Sequence, residues 1–364
     1  MSTTSTTNMN VGDWSETYVF FRLLGDRKIC ACDEYLNRTN ETFPVLKIKR
    51  AKDKKSVVVC RFNSILNTWE VFDGDAEIVQ INATEGTSEA DDLLLKIQDK
   101  TKDAKKYNKA IKFLQRLHIE TIKSDSTHKQ DITLQIGDVR AGADPVCGFS
   151  IKSYLGQAPT LLNSSKDCTN FLYEIEGIPA NDINKLNEID GILDLLAELK
   201  NRNANLVFAC CCSNTFACNL EAIDTNAEKI IGELLKVHYL EQKKSVAEAT
   251  EDLISTNPLK LRKPDTYKIV VKRLLEVVAL GMTPGTEWNG ETDNTSGIII
   301  VKPDGDMVTY HVYNRDAFKQ YLYLSTLFDR PSRTRHQYAK LFEQDGKVYM
   351  KLAIQIRFRK PKSK

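Results

Sequence analysis

The chain has 364 residues, 41% of them hydrophobic and 27% charged, with 51 Lys and Arg against 49 Asp and Glu. That length allows two regions or one domain with large insertions, and the composition excludes low-complexity and collagen-like chains. No apolar run reaches the roughly 18–20 residues that a bilayer span needs. The start, MSTTSTTNMN, lacks the basic-then-apolar order of a secretory signal, so residues 1–10 are expected to form a disordered tip. The nine cysteines are odd in number and three are consecutive. That is no disulfide framework, and it points to a reducing cytoplasm.

Taken in chain order, GDWSETYVFFRLLG (12–25) places Trp14, Tyr18, Phe21 and Leu24 at helical spacing, with Gly25 as a stop. Between 26 and 82, KICACDEYL, FPVLKIKR, SVVVCRF, TWEVFDG and AEIVQIN read as short strands of a small antiparallel sheet. Residues 88–123 are charged, with a helical stripe of Leu93, Leu94, Ile97, Ile111, Leu114 and Leu117. The spacing thus predicts a region 11–125 of helix, small sheet and helices, followed by a region 126–360.

The second region opens with DITLQIGD, whose Ile132, Leu134 and Ile136 alternate as a strand's should. VRAGADPVC is turn-like, and GFSIKS is a second short strand. Further on, 180–203 and 225–257 read as amphipathic helices around LVFACCCSNTFACNL, expected to be a buried strand and its continuation. Residues 263–281 suggest another helix. GIIIVKPDGDMVTYHVY reads as a hairpin about Pro-Asp-Gly-Asp, and KVYMKLAIQIRFRK as one alternating strand. The fold class expected is α+β or α/β.

Two features carry chemistry. The first is a lysine, Lys152, inside an apolar strand, with a carboxylate, Asp138, ending its neighbour. Phosphodiester cleavage with Mg²⁺ needs one or two carboxylates for the hard cation and a cationic group near the attacked phosphate. Lys152 also shares parity with Gly148 and Ser150, so the spacing equally allows a solvent-facing lysine. The second is the end of the chain, where residues 330–364 hold eleven Lys and Arg against two acids, Glu343 and Asp345. A basic end on a near-neutral chain suggests a surface facing a polyanion, and a solvated tail is the plainer alternative. The Cys210-Cys211-Cys212 run with Cys218 offers no CxxC pair and no nearby His, so small buried hydrophobes are expected rather than zinc.

The pieces GDWSETYVFFRLL, IGDVRAGADPVCGFSIKSYLGQAPTLLNSS, TNFLYEI, MTPGTEWNG, IIIVKPDG, YHVYNRDAF and DRPSRTRHQYAKLF...GKVYMKLAIQIRF resemble, in this order, the HpaII family of type II restriction endonucleases. The resemblance covers most of the chain. It implies a PD-(D/E)XK restriction-endonuclease-like core, a mixed central sheet flanked by helices, with the small N-terminal sheet and C-terminal strands added. It implies Mg²⁺-dependent cleavage of double-stranded DNA at a short palindrome, CCGG for the family's namesake. It also implies a DNA methyltransferase of the same specificity in the host and, from the palindrome, a possible homodimer. On this resemblance Asp138 binds the metal and Lys152 polarises the water. Ser150 stands where the family of folds usually has an acid, so a second carboxylate must come from elsewhere. Glu16 on the first helix is the first candidate, with a helix-dipole role as its alternative; Glu174 and Glu176 come next, and Asp144 is read as a turn residue.

For DNA contact, Ser332, Arg333, Arg335 and His336 are the first candidates, because Arg reads guanine O6 and N7 bidentately. Gln355 and Arg357, with Lys351, share one parity of the last strand. Gln157 and Asn163 follow the lysine-bearing strand, where Asn163, Ser164 and Ser165 could instead cap a turn. A protein of this fold that binds DNA without cleaving it is the rival reading, because Ser150 replaces an acid. A small-molecule enzyme lacks a glycine-rich phosphate loop to support it.

Overall fold

The computed structural model describes residues 9–53, 55–101, 103, 105–122, 130–137, 144–166, 168–292, 296–311 and 314–360. The chain folds as two compact units. Unit 1 comprises 1–159, 292–318 and 360–364, and unit 2 comprises 160–291 and 319–359. The small N-terminal sheet and the Lys152 strand, assigned above to separate regions, therefore share one unit.

In chain order unit 1 begins with α1 (Val11–Asp26), β1 (Lys28–Cys32), β2 (Arg38–Ala51), β3 (Val57–Asn63), β4 (Thr68–Asp73) and β5 (Ala76–Asn82). It continues with α2 (Ala83–Gln98), α3 (Asn108–Arg116), β6 (Ile132–Ile136) and β7 (Val146–Ser153). Unit 2 then contributes β8 (Thr160–Leu162), β9 (Asn170–Glu176), α4 (Ile183–Asn187), α5 (Ile192–Asn201), β10 (Asn205–Cys211), α6 (Asn214–Ile223), α7 (Ala227–Leu240), α8 (Val246–Thr256) and α9 (Thr266–Ala279). The chain returns to unit 1 for β11 (Gly297–Val301) and β12 (Met307–His311), and α10 (Arg315–Ser325) leads back. Unit 2 closes with β13 (Thr326–Phe328), α11 (Arg333–His336), β14 (Leu341–Gln344), β15 (Lys347–Ala353) and β16 (Ile356–Phe358).

The fold is thus mixed α+β. Unit 1 is built on a nine-stranded sheet in the order β1-β12-β11-β7-β6-β2-β3-β4-β5, in which β1 also pairs with β2. Six strands therefore close into a ring, and β3–β5 extend from it as an antiparallel meander. β1 with β12 and β11 with β7 are parallel; the remaining pairs are antiparallel. The β11–β12 hairpin turns at Gly305, whose φ of +89° is a backbone conformation open to glycine at no steric cost.

Helix α1 starts with a capping box in which Asn10 and Asp13 bond each other's backbone N–H. It is buried nearly all round, with Tyr18, Val19, Phe20, Phe21, Leu23 and Leu24 at 0% exposure. Such a helix is central to its core rather than laid upon it. It crosses α2 at close range, because a Cβ on Gly86 would sit 2.8 Å from the backbone nitrogen of Gly25. Trp69 locks the far end by donating Nε1–H to the Leu24 carbonyl at 2.7 Å.

Unit 2 has a four-stranded sheet, β10-β9-β15-β14, and a three-stranded one, β13-β16-β8. α7 covers one face of the larger sheet, where the Tyr173 hydroxyl donates to the Gly232 carbonyl at 2.7 Å. The opposite face is open, and here the sequence expectation fails. The strand β10 is not buried, and Cys210 and Cys212 are exposed, as is Cys218 on α6; only Cys211 of the run is buried. The last strand also differs from its reading as one element. It breaks at Ile354–Gln355, so β15 serves one sheet and β16 the other, although Ile354, Ile356 and Phe358 are all buried as their shared parity requires. No helix among the described residues is long and apolar enough to cross a membrane.

Candidate active site

Strands β6 and β7 pair antiparallel with Ile132 opposite Phe149 and Leu134 opposite Cys147. In such a hairpin the start of the first strand meets the end of the second. The carboxylate brought to Ser150-Ile151-Lys152 is therefore Asp131, the residue before β6. Its Oδ2 accepts the Ile151 backbone N–H at 2.5 Å and lies 3.2 Å from the Ser150 hydroxyl. Its own N–H donates to the Phe149 carbonyl at 2.9 Å. Asp138 lies outside the described residues, and it follows Gly137 at the other end of β6, whose N–H bonds Pro44.

On the other side β7 runs parallel to β11, with Ile298 beside Ser150 and Ile300 beside Lys152. Ser150 is buried and Lys152 half-buried. Among the described residues the Lys152 ammonium makes no hydrogen bond or ion pair. Helix α1 packs against β7, and the Ser15 hydroxyl sits 2.8 Å from the Ser153 hydroxyl. Glu16, the next residue, is half-buried in an otherwise buried stretch. The first-turn acid of α1 is Asp13, already engaged in the capping box. The helix-dipole reading of Glu16 thereby loses its basis, because that effect fades beyond the first turn.

Sequence reasoning missed Arg50. This β2 residue is 4% exposed. It donates Nη1–H to the Glu16 carbonyl at 3.0 Å, and Nη2–H to Thr17 Oγ1 at 2.9 Å and to the Ile122 carbonyl at 2.6 Å. Burial pushes its pKa down to about 10, and the charges of Glu16 and Asp131 oppose that shift. At neutral pH it is thus a cation held behind both carboxylates. The signal in the sequence was a second basic residue inside an alternating apolar strand, Lys-Ile-Lys-Arg-Ala, with Ile48 and Arg50 on one parity.

Among the described residues no three His, Cys, Asp or Glu side chains gather into a metal-binding group. A hard divalent cation at a phosphate site needs only one or two carboxylates, completed by water and the phosphate itself. Asp131 and Glu16, both near enough to Arg50 for their charges to act on it, are donors of the type that requirement calls for; a softer metal would want nitrogen or sulfur donors.

The DNA-contact candidates separate on inspection. Arg333 is spent internally, donating to the carbonyls of Ile189 (2.8 Å), Asp190 (2.7 Å) and Ala339 (2.6 Å). It ties the α4–α5 connection to the chain after α11, bonds that compete with the role of base reader expected of it. Ser332 caps α11 by accepting the Arg335 N–H. Arg335 is exposed, with no side-chain partner among the described residues, and His336 is half-buried, its pKa lowered by burial and by Arg335. Gln355 and Arg357 share a single carboxylate, Asp329, and Asn163 follows β8 directly across from Gln355. Gln157, in unit 1, is an exposed bend residue.

Other expected residues are structural. Glu174 pairs with Lys347 at 2.9 Å, and Glu176 accepts from Asn205. Asp144 is exposed, and its carbonyl accepts from Gln135. The Ser164–Ser165 segment is a turn closed by Thr169 Oγ1, and Asn289 bonds the Glu291 N–H as a turn residue. The MTPGTEWNG segment is gathered by one buried amide, Asn219, which bonds Thr283, Thr286 and Trp288 backbone groups.

The model of the HpaII restriction endonuclease family matches residues 10–358. The type II restriction enzyme HpaII of Haemophilus parainfluenzae is 34% identical over 358 residues, covering 96% of this chain and 98% of that protein. No solved structure matches the chain. The chain belongs to the HpaII restriction endonuclease family and is a type II site-specific deoxyribonuclease.

Proposed function

We propose that this nuclease cuts double-stranded DNA at CCGG with Mg²⁺, through a PD-(D/E)XK-like core formed by α1, β6, β7 and β11. The observation that carries the reading is the β6–β7 register, which sets one carboxylate, Asp131, against the Ser150-Ile151-Lys152 strand. A helix bearing Glu16 packs on that strand, and a parallel strand flanks its other side.

In this reading Asp131 and Glu16 hold the cation, which when bound supplies Lewis-acid stabilisation of the phosphate and a more acidic water. Lys152 orients the attacking water and offsets charge developing on the phosphate oxygens. With no partner among the described residues, it has three ammonium hydrogens to offer for that purpose. The Ser150 hydroxyl and the Ile151 N–H hold the Asp131 carboxylate in one rotamer, so Ser150 serves the site without being a ligand. Arg50 keeps two nearby carboxylates tolerable before a cation arrives. In-line attack leaves 5′-phosphate and 3′-hydroxyl ends. Arg335, Arg357, Gln355, Asn163 and Gln157 supply DNA contacts in this scheme. A palindrome favours a twofold homodimer, and a host needs a methyltransferase of matching specificity. The cytoplasm is the compartment this chemistry requires.

The test incubates the purified protein, beside Lys152→Ala, with plasmid DNA carrying CCGG sites and Mg²⁺, and maps the fragment ends. Discrete fragments ending within CCGG from the wild type, absent with the variant, are expected. Fragments ending at another sequence would overturn the target, and full cleavage by Lys152→Ala would overturn the site.

A further inference from the structure

The residue following β13, Asp329, carries more side-chain partners than its exposure would suggest. Its Oδ2 accepts from Gln355 Nε2 at 2.9 Å and from Arg357 Nε at 2.7 Å, with Arg357 Nη2 at 2.6 Å. Its Oδ1 accepts the Arg330 backbone N–H at 3.0 Å, and its own N–H donates to the Gln355 carbonyl. Yet the side chains of Asp329 and Arg357 are each 35% exposed. A pair that open to water adds little to stability. What a carboxylate does there is fix geometry. Held at Nε and one Nη, the Arg357 guanidinium has its plane fixed, and its remaining N–H groups form a fork. Gln355, with one N–H on Asp329, keeps its other N–H and its carbonyl oxygen for a ligand. The β8–β16 register, Leu162 opposite Ile356, sets Asn163 beside them.

A planar fork with two parallel donors matches O6 and N7 of guanine, and an amide offering a donor and an acceptor matches a base edge. We infer that Asp329 is a positioning residue for sequence recognition, acting through Arg357 and Gln355 by holding their free donors in register with one G·C pair of the target. The inference rests on the reading of Arg357 and Gln355 as DNA contacts. Asp329 acts in this arrangement through the side chains it holds: Oδ2 is taken up by Gln355 and Arg357, and Oδ1 accepts the Arg330 N–H.

The experiment compares wild type, Asp329→Ala, Arg357→Ala and the double variant. For each, kcat/KM is measured with Mg²⁺ on a duplex bearing the target mapped from wild-type fragment ends, and on duplexes changed at one base pair at a time. Thermal unfolding is followed in parallel. Arg357→Ala is expected to lose about tenfold to a hundredfold of discrimination at one position, the worth of one bidentate base contact. Asp329→Ala is expected to lose roughly tenfold at that same position, with its melting temperature unchanged, and to add less than its own loss to Arg357→Ala, because only its hold on Gln355 then remains. Should Asp329→Ala lower the melting temperature, Asp329→Asn, which keeps the volume and one acceptor, replaces it. Wild-type discrimination in Asp329→Ala, a loss spread equally over all positions, or a loss that adds in full to that of Arg357→Ala overturns the positioning role alone. Wild-type discrimination in Arg357→Ala overturns the reading of β16 as a DNA contact, and the positioning role with it.

Discussion

In unit 1 a buried cation stands behind the candidate active site. Arg50 is 4% exposed, spends its donors on two carbonyls and a hydroxyl, and lies near two carboxylates. In unit 2 the roles are reversed, for a carboxylate, Asp329, gathers two donor side chains at the surface. The surrounding architecture accounts for the contrast. Unit 1 closes six strands into a ring and buries α1 beside them, so a charge inside needs bonds to be tolerated; Arg50 makes three, while its Nε–H has no partner among the described residues. In unit 2 the side chains of Asp329 and Arg357 are each 35% exposed, so the charges keep much of their water and their bonds govern direction more than stability. Burial therefore separates groups whose loss unfolds the protein from groups whose loss changes what it recognises.

The sharpest break between the two would come from the reacting groups themselves. Asp131→Asn keeps the shape of the carboxylate and removes its charge. It is expected to lower kcat on the mapped target by at least about 10²–10³-fold, while binding in Ca²⁺ and the melting temperature stay close to wild type. Asp138→Asn, tested beside it, is expected to cut normally; the reverse pattern would return the metal to Asp138. Next in size is Arg50→Met, which leaves the Glu16 and Ile122 carbonyls and Thr17 without their donor. A loss of about 3–5 kcal/mol in urea unfolding is expected. A variant that folds as well as wild type would mean that Arg50 is not the keystone its burial suggests.

Much of this was legible in the chain. Helical spacing gave α1, and alternation gave β6 and β7 within a few residues, because both patterns follow from side-chain direction alone. Spacing offers two carboxylates for the lysine. The apolar run Ile132–Ile136 is flanked by two acids, Asp131 and Asp138, and nearness in sequence favoured the one by the turn. Antiparallel pairing favours the other, since the lysine sits toward the end of its strand. Arg333 and Arg357 were equally cationic on paper; which of them is consumed by carbonyls depends on Ile189 and Ala339, remote in sequence or across α11. The break at Ile354–Gln355 was hidden because alternation continues through it. The division into units was hidden too, since unit 1 is discontinuous in sequence, resuming at 292 after unit 2 has begun at 160.

A milder effect should separate the units by pH. His238 of α7 is 1% exposed, and its Nδ1–H donates to the Lys243 carbonyl at 2.7 Å. Its Nε2 is buried without a partner, and burial lowers its pKa to about 4. The unfolded chain takes up a proton near pH 6.5 and the folded one only near 4, so stability is present above 6.5 and lost as pH falls between them. The whole window is worth about 3 kcal/mol at 1.36 kcal/mol per unit. His238→Asn should flatten the unfolding free energy between pH 6.5 and 4; an unchanged slope would assign the acid sensitivity to other groups.

The smallest effect tests the ring against the open sheet directly. Cys30, Cys32, Cys60 and Cys147 of unit 1 are all buried, and burial pushes the Cys32 and Cys60 thiols up to about 12. Cys210, Cys212 and Cys218 of unit 2 are exposed. A thiol-reactive probe at neutral pH should label these three in the native protein and reach the unit 1 cysteines only after unfolding, because reaction needs both access and thiolate. Cys210→Ser should change stability by no more than about 0.5 kcal/mol, whereas Cys60→Ser should cost about 1–3 kcal/mol by placing a hydroxyl in the core. Native labelling of Cys32 or Cys147, which lie on ring strands β1 and β7, would mean that the ring opens on the timescale of the reaction. In that case the bonding of Arg50 would describe only its closed form, and the candidate site behind it would be assembled intermittently rather than held.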